Sequence, residues 1–473
     1  MNRAVRMLDL LGRAASLLLG DSPEDADTPD ARHVLEALGY ATATEVPARD
    51  GKLDPERVHR AGLLKAASRF ARLFQLDAPD APGLICFGAE LDPAMADPMH
   101  QGSPLVGVSG VGLSLQEAFQ GCVGEGVEYL SQLQTAGDRL LPSSANDQVA
   151  KTTGATSQFL NTWSSYRLSR EAEPSWYRAT RLTDGCEVLL PADLCLRRPA
   201  GQCEVDLPFM LGTGSAAGTS WDAAALHGLL ELIERDAASL WWRGGKRGRT
   251  IPPRHEASPM ADDLLVQLRA NASTQRRSWL LDITTDLAVP CVAAVSCRPD
   301  GLGFAFGLAA RPSLKAAVRS AVLEMCQIEL ALSVAETKRR ERGEAALNER
   351  DRVHLRRSTL INCDRCLLLQ PEQPRTEQGF TEQDFAEQDF TEHLAIAMTD
   401  PRAVLQLIVR RLEEFGIEIL GLDLTRPHLA IPAARVIAPG LQLEPSKIVT
   451  ARLADVIVRT GGGSRYTCGV TLI

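Results

Sequence analysis

The chain has 473 residues, 45% of them hydrophobic, enough for one large domain with an appendage or for two to three ordinary domains whose cores need no disulfides. A formal charge of −9 and only 5% aromatic residues argue against a nucleic-acid surface, and no apolar run is long enough to span a membrane. The 11 cysteines are an odd number scattered mostly within apolar runs, as buried thiols in a reducing compartment are, and the lone Cys-x-x-Cys, Cys363 to Cys366, is a weak signal for zinc.

Residues 1–20 carry Arg3, Arg6 and a leucine-rich end, but Asp9 and Arg13 interrupt the apolar run and no small-residue cleavage site follows. An amphipathic helix is expected there rather than a signal peptide, and a cytoplasmic protein with it. Residues 31–38 and 55–76 also read as helices, the second from Val58, Ala61, Leu64, Ala67, Phe70 and Phe74 at helical spacing. Residues 1–80 are thus expected to form a helical region, either a docking module or packing for a main domain at 81–440.

Strands are predicted at 84–87 and 104–109, the second running through Gly110 and Gly112 into a helix capped by Ser114 with Glu117 three residues on. A polar surface loop at 140–162 and strands at 176–179 and 188–190 follow. Then comes a glycine-rich turn, Gly212 to Ser220, feeding a helix with Leu226, Leu229, Leu230 and Ile233 on its apolar side. The basic loop after it holds Lys246, Arg247 and Arg249, which suit either phosphate or an acidic peptide, or simply solvent. Strands at 280–282, 290–296 and 304–310 lead to a helix capped by Ser313 that runs to Arg342. A pentapeptide repeat marks 371–393 as a mobile insertion. A helix at 403–415 and strands at 417–424 and 434–437 precede a tail at 441–473. The alternation argues for a mixed α/β (α+β) fold.

Three of these helices share a register. Glu125 and Glu128 follow Ser114 by 11 and 14 residues, Glu231 and Glu234 follow Ser220 by the same offsets, and Glu324 and Gln327 follow Ser313 likewise. Eleven residues is about three turns, so each pair points roughly where its own cap points. Five carboxylates so gathered would repel one another without a cation, and oxygen ligands suit Mg2+, which in turn holds phosphates.

These residues resemble the YcaO family. Its first nucleotide motif, Ser-x-x-x-Glu-x-x-Glu-Arg, is matched by Gly121 to Tyr129, with Gly121 in place of the Ser and Tyr129 in place of the Arg. Its Ala-Ala-Gly turn and the helix after it are matched by Ala216 to Asp236, its Glu-x-x-Gln helix by Glu324 to Gln327, and its closing signature by Asp423-Leu-Thr-Arg-Pro427. Val111 stands where relatives often carry Lys.

The resemblance, over roughly 85–440, implies a YcaO-like domain of repeated strand, glycine-turn and helix units around an ATP site. Glu125, Glu128, Glu231 and Glu234 become candidate Mg2+ ligands, with Arg235, Glu324, Gln327 and Arg319 around the nucleotide and Ser109 and Ser215 in the turns beside it. Arg319 equally suits a pairing with a neighbouring carboxylate. His227 is either a nucleotide or substrate contact or a packing histidine. The implied activity is ATP-dependent activation of a peptide-backbone amide in a ribosomally made precursor, closing Cys, Ser or Thr onto the carbonyl as a thiazoline or oxazoline. The alternatives are thioamide formation with a TfuA-like partner and a non-catalytic Mg-ATP-binding scaffold. A separate leader-peptide-binding partner, ThiF-like or TfuA-like, is expected, a homodimer stays open, and neither nucleic acid nor membrane is implied.

Overall fold

The computed structural model describes residues 3–20, 28–40, 54–142, 160–162, 165–166, 168, 174–199, 201–272, 275–372, 390–394 and 396–473. Nearly all of the pentapeptide repeat and most of the polar 140–162 segment lie outside the described residues.

The helical start is α1 (Arg3–Leu19), α2 (Pro29–Ala37) and α3 (Pro55–Ala67). Both later helices begin with proline in the first turn, behind Thr28 or Asp54 caps that accept a backbone N–H. The helix expected over 55–76 ends at Ala67, and its remainder is a strand, β1 (Arg72–Leu76). Phe70 and Phe74 are four apart and mimic a helix. The five residues from Arg72 to Leu76 do not alternate cleanly in polarity, and with Leu73 turned into the core it is the pairing with β2 (Ile85–Leu91) that decides the outcome.

After β2 come β3 (Val106–Gly112), α4 (Leu115–Gln132), β4 (Trp176–Arg181), β5 (Glu187–Pro191), α5 (Ala192–Cys195), β6 (Ser215–Ala217) and α6 (Trp221–Trp242). Next are α7 (Ala257–Arg269), β7 (Arg277–Asp282), β8 (Cys291–Cys297), β9 (Ala305–Ala310), α8 (Leu314–Arg342) and α9 (Glu349–Leu360). The chain closes with α10 (Pro401–Glu414), β10 (Leu420–Asp423), β11 (Ala433–Ile437), α11 (Ala451–Thr460) and α12 (Ser464–Thr467). The strand expected over 417–424 is thus confined to its C-terminal half.

The strands form three antiparallel sheets in the orders β1-β2-β3, β5-β4-β10-β11-β6 and β7-β8-β9. Each sheet therefore ends in an edge strand, β3, β6 or β9, that turns directly into a long helix, α4, α6 or α8. Sheet and helix are pressed together where glycine permits. A Cβ on Gly307 of β9 would stand 2.1 Å from the Ala321 carbonyl oxygen and 2.3 Å from the Met325 nitrogen of α8. Gly214, at φ +86, likewise leaves no room for a side chain before the Val436 carbonyl of β11.

The main core joins Leu229 and Ile233 of α6 to Val295 and Phe306 of the third sheet and Val436 of the second. The segment after residue 440 belongs to it: Leu441, Val470 and Leu472 are buried, and the Trp242 indole donates to the Val470 carbonyl at 2.7 Å. A second core packs α1 to α3 against Phe119, Val123 and Val127 of α4. The N-terminal helices thereby support one of the three carboxylate helices. The cysteines are free, eight of them buried and Cys186, Cys203 and Cys468 exposed. No helix among the described residues is long and apolar enough to cross a membrane.

Candidate active site

The three long helices start alike. Ser114, Ser220 and Ser313 each accept the backbone N–H three residues on, at 3.1, 3.1 and 3.3 Å. Glu117 closes its cap one residue further back than a capping box would, accepting the Leu113 N–H at 3.0 Å.

From that common start the first carboxylate of each helix arrives at the strand that precedes it. Glu125 accepts the Ser109 N–H at 2.9 Å, Glu231 the Gly214 N–H at 3.0 Å and Glu324 the Leu308 N–H at 2.9 Å. One oxygen of each is thus tied to the backbone of the preceding strand or, at Gly214, of the turn that opens it, and its helix is pinned over its own strand. The units are also linked to each other. Gln327 of α8 donates to the Ser109 hydroxyl of β3 at 2.9 Å, and the same residue's N–H holds Glu125 of α4.

The carboxylates face one another across the helices. Glu128 is raised well above the ordinary carboxylate range by burial and by the charges of Glu231 and Glu125, against the pull of Arg197 and Arg435. Glu125 is raised by burial, less so because Ser109 and the charge of Arg350 favour its anion. Between α6 and α8, Glu234 is raised by burial, opposed by Arg235 and Arg311, and Glu324 is pushed up to about 7 by burial and by Glu234. Glu125 and His227 stay open to solvent although protein surrounds them on nearly every side, which is how side chains lining a deep recess are placed.

A family model for YcaO cyclodehydratases, described as ATP- and Mg2+-binding, matches residues 109–442, a span containing all of these groups. The chain belongs to the YcaO family. Among solved structures it is similar to a heterocyclase in complex with substrate and cofactor, with 22% identity and a TM-score of 0.58 over 86% of this chain. It spans only 55% of that heterocyclase. It is also similar to YcaO from Methanopyrus kandleri bound with AMPPCP and Mg2+, with 18% identity, a TM-score of 0.51, and coverage of 82% of this chain and 91% of that one. The E. coli microcin synthetase McbBCD complex with pro-MccB17 bound is a further likeness, with 14% identity, a TM-score of 0.52, and coverage of 78% and 88%. At such identities the structures share the YcaO fold.

Of the nucleotide residues expected from the YcaO motifs, Glu125, Glu128, Glu231, Glu234, Arg235, Glu324, Gln327 and Ser109 are brought together. Arg235 pairs with Glu234 at 3.0 Å and with Glu231 at 3.3 Å. His227 is lowered by burial and the charge of Arg311, so the neutral ring prevails at neutral pH. Ser215 is turned inward, its hydroxyl accepting from Arg435 at 3.1 Å. Arg319 takes the second of its two expected roles, gripping both oxygens of Glu117 at 2.5 and 2.8 Å. The basic loop is engaged by the chain's own groups: Lys246 bonds the Thr284 carbonyl, Arg247 pairs with Glu372, and Arg249 with Asp282.

Four arginines near the recess went unnoticed in the sequence: Arg197, Arg311, Arg350 and Arg435. Each comes from a segment outside the acidic helices and lies close enough for its charge to act on Glu125, Glu128, Glu234 or Glu324. Only Arg311, two residues before its helix cap, had a positional signal.

The donor set fits the family's cofactor. It consists of oxygen donors whose mutual repulsion a divalent cation would relieve. Among the described residues no three His, Cys, Asp or Glu side chains group closely enough to hold a metal alone. That suits Mg2+, which keeps waters and is commonly held by one or two carboxylates together with substrate phosphates.

Proposed function

We propose that this chain uses ATP to activate backbone amides of a ribosomally made precursor peptide, cyclodehydrating Cys, Ser or Thr to thiazoline or oxazoline. The observation that carries the reading is the convergence of Glu125, Glu128, Glu231, Glu234 and Glu324 from three helices, with Arg235 set among them. ATP with Mg2+ supplies the phosphoryl group that converts the amide oxygen into a leaving group. The chain's part is to position and to balance charge.

Glu125 and Glu128 on one wall and Glu231 and Glu234 on the other would hold Mg2+, Glu125 and Glu231 each through the oxygen not already bonded to the backbone. Arg235 and Gln327 would border the phosphates, with Glu324 and Ser109 fixing their positions. His227, neutral and open to the recess, would exchange a hydrogen bond with nucleotide or peptide. The heterocyclase seen with substrate and the microcin synthetase seen as a complex with pro-MccB17 support a peptide substrate presented with the help of a separate protein. For this chain that partner would be a ThiF-like or TfuA-like leader-binding protein.

The test is incubation of candidate precursor, partner, ATP and Mg2+ with the protein, read by peptide mass and phosphate release. Loss of one water per modified residue, with one phosphate released, is expected. Oxygen-to-sulfur exchange would replace the azoline reading with thioamide formation. Tight nucleotide binding with no peptide-dependent turnover would make the chain a scaffold.

A further inference from the structure

The departure at Tyr129 is repaired elsewhere in the chain. Tyr129 and Arg235 each lie 15 residues after their cap serine and directly follow the second glutamate, so α4 carries a phenol where α6 carries a guanidinium. The Tyr129 ring is not empty-handed: the guanidinium of Arg197 sits over it, 5.1 Å from the ring centre.

Arg197 is held firmly in that position. Its N–H donates to the Gln132 carbonyl at 2.7 Å and its carbonyl accepts from Gln134 at 2.9 Å, which splices the segment after α5 onto the C-terminal end of α4. Its Nε donates to the Gln132 side-chain oxygen at 2.8 Å, and the same amide donates to Glu128 at 3.2 Å. Gln132 therefore couples the arginine to the second carboxylate of α4. The two terminal nitrogens of Arg197 have no hydrogen-bond partner among the described residues. One of them borders the glycine turn, so closely that a Cβ on Gly212 would come 3.0 Å from it.

We infer that Arg197, carried on Tyr129, is the nucleotide-binding arginine that stands in for the one α4 lacks, its free fork directed at the phosphates lying between Glu128 and the Gly212 to Gly218 turn. A planar guanidinium with both outer nitrogens available is the group best matched to phosphate oxygens. Burial lowers the Arg197 pKa, an effect that the neighbouring Tyr129 and Glu128 oppose. The inference rests on the nucleotide site proposed above and names a residue the family motif does not contain.

Titration calorimetry of the intact protein with Mg2+–AMPPCP and with AMP separates the two claims. Arg197→Gln is expected to raise the Kd for Mg2+–AMPPCP at least tenfold and to change that for AMP less than threefold. Tyr129→Phe keeps the ring beneath the guanidinium and is expected to weaken Mg2+–AMPPCP binding less than Tyr129→Ala does; equal weakening by the two would overturn the platform role. Adding Tyr129→Arg to Arg197→Gln moves the guanidinium back onto α4 and is expected to recover most of the lost affinity. Unchanged Mg2+–AMPPCP binding by Arg197→Gln, equal losses for both ligands, or no recovery in the double variant would each overturn the inference. Should Arg197→Gln not fold, Tyr129→Ala takes its place: tenfold weakening supports the inference and an unchanged Kd refutes it. Glu231→Gln is the control, since wild-type nucleotide binding by that variant would remove the site itself rather than the role of Arg197.

Discussion

Glu231→Gln is expected to leave the unliganded protein about as stable as the wild type while weakening Mg2+–nucleotide binding about a hundredfold. The glutamine oxygen can still accept the Gly214 N–H, so the strand tether at 3.0 Å survives and only the charge is lost. Changing a charged hydrogen bond to a neutral one costs about 1 kcal/mol. Losing the Arg235 contact at 3.3 Å adds a cost of similar size, because Arg235 keeps Glu234 at 3.0 Å. On the other side, Glu125, Glu128 and Glu234 each lose a repelling neighbour. At about 8 Å and an effective dielectric constant near 20, one such repulsion is roughly 2 kcal/mol before screening, enough to offset both losses. Binding has no such compensation. A ligand at 100 times its wild-type Kd stabilises by about 2.7 kcal/mol, and the same concentration on the variant gives only about 0.4 kcal/mol. With an unfolding entropy of about 2.1 cal/mol/K per residue, a chain of 473 residues shifts roughly 1 °C per kcal/mol, so scanning calorimetry should show a shift of about 2 to 3 °C for the wild type and under about 0.5 °C for the variant. A full ligand-induced shift in Glu231→Gln would refute the reasoning. So would an unliganded variant destabilised by more than about 3 kcal/mol, since Glu231 would then be a structural group and not a cation ligand.

Glu324, pushed up to about 7 from an ordinary 4.5, binds its proton more tightly folded than unfolded. Its contribution to stability is therefore full below about pH 4.5 and lost as pH rises through 7, a difference on the order of 3 kcal/mol. Urea unfolding from pH 4.5 to 8 should show that decline without ligand, and Glu324→Gln should flatten it; an identical slope in the variant would contradict the assignment. Gly307→Ala should force α8 off β9 and cost roughly 3 kcal/mol or more, whereas Gly107→Ala, with nothing within 4 Å of its Cβ, should change the melting temperature by less than about 1 °C. Arg319→Gln should leave nucleotide affinity within about twofold and cost under about 1 kcal/mol, because its partner is the half-exposed Glu117. A tenfold loss of affinity would restore Arg319 to the phosphates.

What was legible in the sequence was local. The caps at Ser114, Ser220 and Ser313 and the offsets to their glutamates are fixed by helix periodicity, so three helices with matched acidic groups could be read without knowing how they meet. The strand at Arg72–Leu76 was hidden because Phe70 and Phe74 continue the helical spacing while the five residues show no polar and apolar alternation, and only pairing with β2 makes them a strand. Arg197, Arg350 and Arg435 were invisible for a related reason: their contacts with the acidic helices join segments far apart in the chain, and no spacing rule marks them. The basic loop misled in the opposite direction. Its charge pattern was plain, but Glu372 and Asp282, which neutralise it, lie far along the chain.

The shared register also assigns different work to its two positions. A glutamate 11 residues after the cap spends one oxygen on a strand N–H, which fixes its rotamer and favours its anion. On α4 the glutamate at offset 14 is held, among the described residues, by the Gln132 amide and by no backbone N–H, and Glu128 is displaced further above the carboxylate range than Glu125. A rigid first carboxylate and a strained second one make a site that is costly to keep charged when empty and favourable to fill with a cation. On α8 the second position is Gln327, whose amide brings no charge and instead ties α8 to β3 through Ser109. At this second position the repeat thus places its carboxylates on α4 and α6 alone, and makes α8 the brace that holds them opposite each other.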